Sequence, residues 1–484
     1  MAKPNVLYIM SDQHQQKASG CYGHEFSKTP NIDALATRGT RYSTAYTNSP
    51  ICVPARATLA TGRYVHETHY WDNSHGYEGR VKSWHHMAGE QGVGVTSIGK
   101  LHFRSDDDPV GFEYSIIPMN VDGGVGDVRG CVKRPMAPPL VRSKTAERIG
   151  PGDSPYTKYD HDIMEQTCAW LKEKGAQKTD KPWTLMCSFV CPHPPHIAPQ
   201  EFYDMYDKVD IPIPKMSDPD APLHPWIHLL QRSRNHEDFL TPETKRVLMA
   251  SYYGCVSYLD SNIGKVLAAL EEAGLRDNTI VIYTSDHGEN LGARKLWGKN
   301  CMYEESAAVP LIISGPGVPE GKVSNTPVTL VDIGPTVLDI IGHGEIAGQE
   351  KLAGESLIKL SNAPSDPNRV AFSEFYASGS DRATFLIRKG NYKYIHYVGY
   401  DSELFDLDKD PEELNNLATD AGHVGVVTEY QNILKGMLDP DEMDELAYRD
   451  QCALVEKHGG REKVSAKGAI QGSPVPGDKA EYLS

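Results

Sequence analysis

Strand-length stretches with no polar and apolar alternation constrain this chain more than any other feature. Asn5-Val-Leu-Tyr-Ile-Met10, Trp183-Thr-Leu-Met-Cys-Ser-Phe-Val190 and Thr279-Ile-Val-Ile-Tyr-Thr-Ser285 are of this kind, and Val95-Thr-Ser-Ile98 is a shorter one. A strand without alternation has no face for water, so it belongs inside a parallel sheet covered on both sides. Each stretch runs straight into reactive side chains: Asp12-Gln13-His14, Cys191-Pro-His193-Pro-Pro-His196, Asp286-His287-Gly-Glu289 and Lys100-Leu-His102. Open α/β sheets place ligands beyond the carboxyl ends of their strands. Asp12 and Asp286 both fall there, and a hard divalent cation wants oxygens from separate segments.

Helices fit between these strands. Thr29-Pro30 to Gly39 reads as a capped helix closed by glycine, a second runs from about 159 to 174, and Thr241-Pro242 opens a long helix reaching Gly274. The expected class is therefore α/β, with a large, mixed, mostly parallel sheet flanked by helices. From about residue 370 the pattern changes to alternating runs, with Lys389-Gly390-Asn391 as a turn, which predicts a smaller antiparallel subdomain. The expected organisation is a catalytic domain over 1–368, the antiparallel subdomain over 369–450, and an extended tail over 451–484 that contacts a neighbouring subunit. Residues 103 to 157 read as a long irregular excursion carrying substrate selectivity, and 211 to 237 as a second surface excursion.

Cys52-Val-Pro54-Ala-Arg56-Ala-Thr-Leu-Ala-Thr61-Gly62-Arg63 carries the chemistry. Pro54 suits a first helical turn, where its missing N–H has no partner to lose. Cys52 is then expected at the N-cap, beside unpaired N–H groups and the positive end of the helix dipole, where anions bind. Arg56 falls one turn along the same face and offers a fork of donors to a tetrahedral oxyanion. Nucleophile and anion clamp are adjacent.

This segment resembles the C-x-P-x-R…T-G signature of the type I, formylglycine-dependent sulfatases of the alkaline phosphatase superfamily, and meets every fixed position of it. Four further motifs agree in order: Asp12, the G-K-x-H pattern at Lys100 and His102, the P-H-x-P pattern at His193, and the Asp286-His287 pair followed by Lys299 in G-K-x-x-x-Y-E. The resemblance covers nearly the whole chain and implies an alkaline-phosphatase-like fold. Asp12-Gln13 in place of a double Asp, and His287 in place of Asn, are similar to the choline-sulfatase and phosphonate monoester hydrolase branches. By resemblance Cys52 is converted to formylglycine by a formylglycine-generating enzyme, and Asp12, Cys52, Asp286 and His287 surround one divalent metal, calcium ahead of manganese. The catalytic set implied is Cys52, Arg56, Lys100, His102, His193 and Lys299. Gln13, Asn73 and His196 face the substrate, His196 also being the fallback for His193. One hydroxyl of the aldehyde hydrate attacks sulfur while His193, assisted by Lys299, gives the leaving alcohol its proton. His102 is the base that then releases sulfate. The expected substrate is a small sulfate ester. The same parts would serve a phosphonate monoester or a phosphodiester, and a chain that kept Cys52 as a thiol would only bind anions.

Composition narrows the partners. A net charge of −16 with both signs interspersed argues against nucleic acid. Nine cysteines without paired spacing point to a reducing compartment. With no apolar leader and no membrane-length run, the expectation is a cytoplasmic homo-oligomer without membrane contact.

Overall fold

The computed structural model describes residues 3–139, 148–177, 181–218, 220–470 and 472–483. Its centre is strand β1 (Asn5–Asp12), and eight strands form one sheet. In chain order these are β1, β2 (Thr40–Tyr42), β3 (Val95–Lys100), β4 (Tyr114–Met119), β5 (Thr184–Pro192), β6 (Thr279–Ser285), β7 (Leu311–Ser314) and β8 (Lys322–Ser324). Across the sheet the order is β8-β2-β7-β6-β1-β5-β3-β4. Only β7 runs antiparallel to its neighbours, β6 and β2; the remaining pairs are parallel.

Every residue of β1, β5 and β6 is buried, as the missing alternation requires. Successive side chains point to opposite faces of a strand. Leu7, Ile9, Val281 and Tyr283 accordingly enter one core with Ile163, Leu171, Leu259, Ile263 and Leu270 of two long helices. Val6, Tyr8, Met10, Ile280 and Ile282 enter a second core on the other face, with Leu59, Trp84, Ile333 and Val337. The first three helices that matter for the site are α1 (Cys52–Thr61), α2 (Pro155–Ala176) and α3 (Pro242–Glu272). At α3 the Thr241 hydroxyl accepts the Thr244 N–H and proline takes the first turn, as its sequence predicts.

The C-terminal region forms a four-stranded antiparallel sheet in chain order, β9 (Ala371–Phe375), β10 (Thr384–Lys389), β11 (Tyr392–Tyr397) and β12 (Glu403–Asp406). It is tied to the large sheet through charge as well as apolar packing. The fully buried Lys393 ammonium lies 2.9 Å from Glu304 Oε1 and 2.6 Å from Glu413 Oε1. Removing one member of a buried ion network leaves its partners desolvated and unpaired, which costs about 3–5 kcal/mol. Lys393→Met should lower the unfolding free energy by about that much in chemical denaturation, and a loss under about 1 kcal/mol would show the network to be dispensable.

Two sequence readings change. Residues 211 to 237, read as a surface excursion, contain the helix Pro225–Arg234, whose Trp226, Ile227 and Leu230 are fully buried against the C-terminal sheet. Proline and histidine content masked three apolar anchors at i, i+1 and i+4. The excursion from 103 to 157 includes β4, which extends the main sheet at its edge; residues 140–147 lie outside the described residues. Helix α4 (Pro440–Lys457) continues through residue 451, and the chain beyond it contributes Ser473, Pro474 and Val475 to the wall of the protein's own cavity.

Candidate active site

Helix α1 is buried along its whole length, Arg56 included. Ile51, with extended backbone, is its N-cap, so Cys52 is the first helical residue and not the cap. The side chain that does the capping comes from elsewhere: Asn73 Oδ1 accepts the Val53 N–H at 3.1 Å. A β-branched apolar residue at the cap position offers no acceptor of its own. Cys52 nonetheless stands at the positive end of the helix, as expected. Gly62 ends it in the left-handed region, at φ 64°.

Beside Cys52, two carboxylates are locked by one guanidinium. Arg56 Nε donates to Asp286 Oδ2 at 2.9 Å and its Nη2 to Asp12 Oδ2 at 3.0 Å. Its Nη1 holds the Lys100 carbonyl at 2.8 Å and Ser188 Oγ at 3.1 Å. Lys100 Nζ adds a 2.8 Å ion pair to Asp12 Oδ2. Burial opposes ionisation of Asp12, but Lys100, His193, Lys299 and Arg56 outweigh it and hold the carboxyl well below its usual range. Asp286 is pushed up to about 6, by burial first and the neighbouring Asp12 second. Arg56 and Lys100 thus spend their charge on the carboxylates.

A second group closes on the sulfur itself. Cys52 Sγ lies 2.9 Å from Lys299 Nζ, 3.2 Å from His287 Nε2 and 3.8 Å from Asp12 Oδ1. The His287 Nδ1–H donates to the Gly288 carbonyl at 3.0 Å, so Nε2 presents its lone pair inward. Burial lowers His287 to about 4, keeping it neutral. Lys299 also donates to Gln13 Oε1 at 2.8 Å, and the Gln13 amide donates to Glu289 Oε2. Asp12, Cys52, Asp286 and His287 each turn one ligand atom to within 4.8 Å of the others. Two carboxylates, an oriented imidazole and a sulfur make a donor set for a divalent cation.

These groups open onto a cavity of about 240 Å³ lined by Gln13, Cys52, Asn73, His102, His193, His196 and Lys299. His193 sits on a loop after β5, its Nδ1–H held by the Pro194 carbonyl at 2.7 Å. Burial, then Lys299, puts its pKa well below that of an ordinary histidine; burial and Lys100 do the same to His102. His102 lies beyond the end of β3 and does not continue its extended backbone. The strand ends at Lys100, with Gly99 at φ 99° and His102 itself at φ 58°, and this turn separates the two side chains: Lys100 goes to Asp12, His102 to the cavity.

All twelve residues singled out from the sequence therefore belong to one assembly, with Lys299 as the lysine at the sulfur. Sequence reasoning passed over Glu289, which is fully buried and accepts the Gly298 N–H at 2.5 Å as well as the Gln13 amide. Its place three residues after Asp286 was the available signal. It also passed over Tyr156 and Ser473 on the cavity wall, for which no motif exists.

A nucleophile position at a helix start, a metal-type donor set at the carboxyl ends of parallel strands and a crown of cations define a hydrolase for tetrahedral anionic esters. Comparison with known proteins narrows this class. The Sulfatase family model matches residues 4–343, and the model for the N-sulphoglucosamine sulphohydrolase C-terminal region matches 292–446. Choline-sulfatase of Rhizobium meliloti is 31% identical over 439 residues, 86% of this chain and 82% of that protein. Human arylsulfatase K is 32% identical over 442 residues, 86% of this chain and 79% of that protein. The structure of phosphonate monoester hydrolase from Agrobacterium radiobacter superposes with a TM-score of 0.73 at 25% identity, covering 90% of this chain and 95% of that one. This chain belongs to the sulfatase family of the alkaline phosphatase superfamily and is a sulfuric ester hydrolase.

Proposed function

We propose that the enzyme hydrolyses small alkyl or aryl sulfate monoesters, with Cys52 converted to formylglycine and a divalent cation held by Asp12, Asp286, His287 and the residue-52 side chain. The observation that carries this is the position of Cys52 Sγ, which touches Lys299 and His287 at the start of α1 while facing the cavity. As a hydrate, formylglycine would supply one hydroxyl to attack sulfur and a second whose deprotonation releases sulfate and restores the aldehyde, a release route that a thiol lacks. The metal supplies Lewis acidity toward the ester oxygens. A charge argument supports it: Arg56, Lys100 and Lys299 are matched by Asp12, Asp286 and Glu289, so a divalent cation provides the excess positive charge that an anionic ester needs. We assign calcium ahead of manganese, the His287 imidazole being the donor that leans toward manganese.

The chain's own residues then divide the work. Lys299 faces charge developing on the sulfuryl oxygens, while Arg56 fixes the Asp12 and Asp286 carboxylates that would hold the cation. His193 is neutral at rest, and the negative ester raises its affinity for the proton it passes to the leaving oxygen. His102 takes the proton in the half-reaction that releases sulfate. Asn73 holds the helix start through Val53, Gln13 orients Lys299, and His196 borders the organic half of the ester. Maturation by a formylglycine-generating enzyme, a reducing compartment for the nine free cysteines and a homo-oligomeric state complete the reading.

The test is kcat/KM for an aryl sulfate beside the matched aryl phosphonate monoester, with metal content measured on the same preparation. Preference for sulfate with bound calcium is expected. Preference for the phosphonate would overturn the substrate assignment while leaving the site intact.

A further inference from the structure

His102 is a cavity histidine held by the C-terminal tail. Its Nε2 lies 2.5 Å from Ser473 Oγ, across a separation of 371 residues, while its Nδ1 is buried without a hydrogen-bond partner among the described residues. The tail segment is itself pinned. The Tyr156 hydroxyl donates to the Ser473 carbonyl at 2.7 Å, Tyr482 to Asp122 Oδ2 at 2.9 Å, and Arg148 pairs with Glu481 at 2.9 Å.

A neutral imidazole carries one proton on one of two nitrogens, and the bond at one nitrogen decides the state of the other. Placed on Nδ1, the proton would be a buried donor without an acceptor, in a region made positive by Lys100, Arg56 and Lys299. An unmet buried donor costs about 1–3 kcal/mol. Placed on Nε2, it donates to Ser473 Oγ, and the Nδ1 lone pair sits among those cations. We propose that Ser473 is a positioning residue that holds His102 as the Nε2–H tautomer, leaving Nδ1 as the proton-accepting atom of the site. The proposal rests on the assignment of His102 as base. It gives the tail a function within its own chain: the base is aimed by a residue from the far end of the sequence.

The direct readout is the long-range ¹H–¹⁵N spectrum of histidine-labelled enzyme, with His102→Gln identifying the signals. The wild type should show a protonated Nε2 and an unprotonated Nδ1 at His102, and Ser473→Ala a mixture. Kinetically, loss of an orienting partner typically costs about 10–100-fold in activity. Because kcat/KM reports only steps through release of the alcohol, slowing the sulfate-releasing half-reaction should lower kcat and KM together and leave kcat/KM unchanged, with a burst of phenol from an aryl sulfate. Ser473→Thr, which keeps the hydroxyl, should restore kcat. An Nδ1–H tautomer in the wild type, or a raised KM with unchanged kcat in Ser473→Ala, would overturn the proposal. If His102→Gln lowers kcat steeply while Ser473→Ala behaves as wild type, Ser473 has no such role and the base stands; unchanged kcat in His102→Gln removes the base assignment itself.

Discussion

Replacing Cys52 with alanine removes sulfate ester hydrolysis, lowering kcat/KM by at least about 10⁴, while the fold survives. The size follows from what is lost. Lys299 and the cavity histidines still face the ester, and Arg56 and Lys100 still hold the two carboxylates, but the atom that attacks sulfur is gone. Little else changes, since the cap on Val53 comes from Asn73 and Arg56 makes its four hydrogen bonds without the thiol. A stability change within about 1 kcal/mol is expected. Thermal unfolding beside initial rates checks both halves. In the active enzyme the peptide containing residue 52 should be lighter by the difference between a thiol-bearing CH2SH and an aldehyde CHO. Full activity from protein whose Cys52 thiol is intact would sink the formylglycine assignment.

Arg56→Ala should be the most destabilising substitution in the site, by about 3–5 kcal/mol, with activity lost as well. Its guanidinium is 1% exposed and stands between Asp12 and Asp286, both completely buried. Without it two carboxylates face each other across a dry site, with Lys100 and, at 4.0 Å, Lys299 left to pair with Asp12 and no lysine or arginine ion pair to Asp286 among the described residues. Arg56→Lys keeps the charge but not the fork that spans both acids, and should recover only part of the loss. Two conditions should shrink the deficit. On the proposed calcium assignment, added calcium should bind the folded state and supply part of the missing positive charge. Acid acts in the same direction: the folded pKa of Asp286, already raised to about 6, exceeds its unfolded value, so the folded state gains protons preferentially as pH falls through that range. Arg56 is one of the charges that lower Asp286, so in Arg56→Ala this carboxyl takes its proton at a higher pH than in the wild type, and the deficit of the metal-free variant is largest at and above neutrality and narrows as pH falls toward about 6. Denaturant titrations of both variants across pH, with and without calcium, give the answer, and a loss below about 1 kcal/mol near neutrality would show that the two acids do not depend on Arg56.

Much of this was legible because the reactive residues sit at fixed offsets from strong local signals. Asp12 and Asp286 follow strands whose burial on both faces is written in their lack of alternation, and a parallel sheet delivers the ends of adjacent strands to one edge. Cys52 and Arg56 are one helical turn apart by covalent geometry alone. The C-terminal hairpins and the long α3 follow in the same way from periodicity and capping.

What the spacing could not convey is who pairs with whom. Lys100 and His102 are two residues apart on paper, yet Gly99 and a left-handed His102 send one to a buried carboxylate and the other to the cavity. Cys52 was expected to be its own cap, whereas Asn73 supplies it from another loop. Trp226 fills the core beneath a proline- and histidine-rich stretch that reads as surface. Ser473, in a segment with no motif, reaches the base. Sequence by itself determined the strands, the helix that carries the nucleophile and the chemical identity of nearly every group in the site, because those depend on local periodicity and on residue type. Tertiary structure decided the hydrogen-bond partners, the protonation states and the reach of the tail, because burial and contact between residues hundreds of positions apart exist only once the chain has closed on itself.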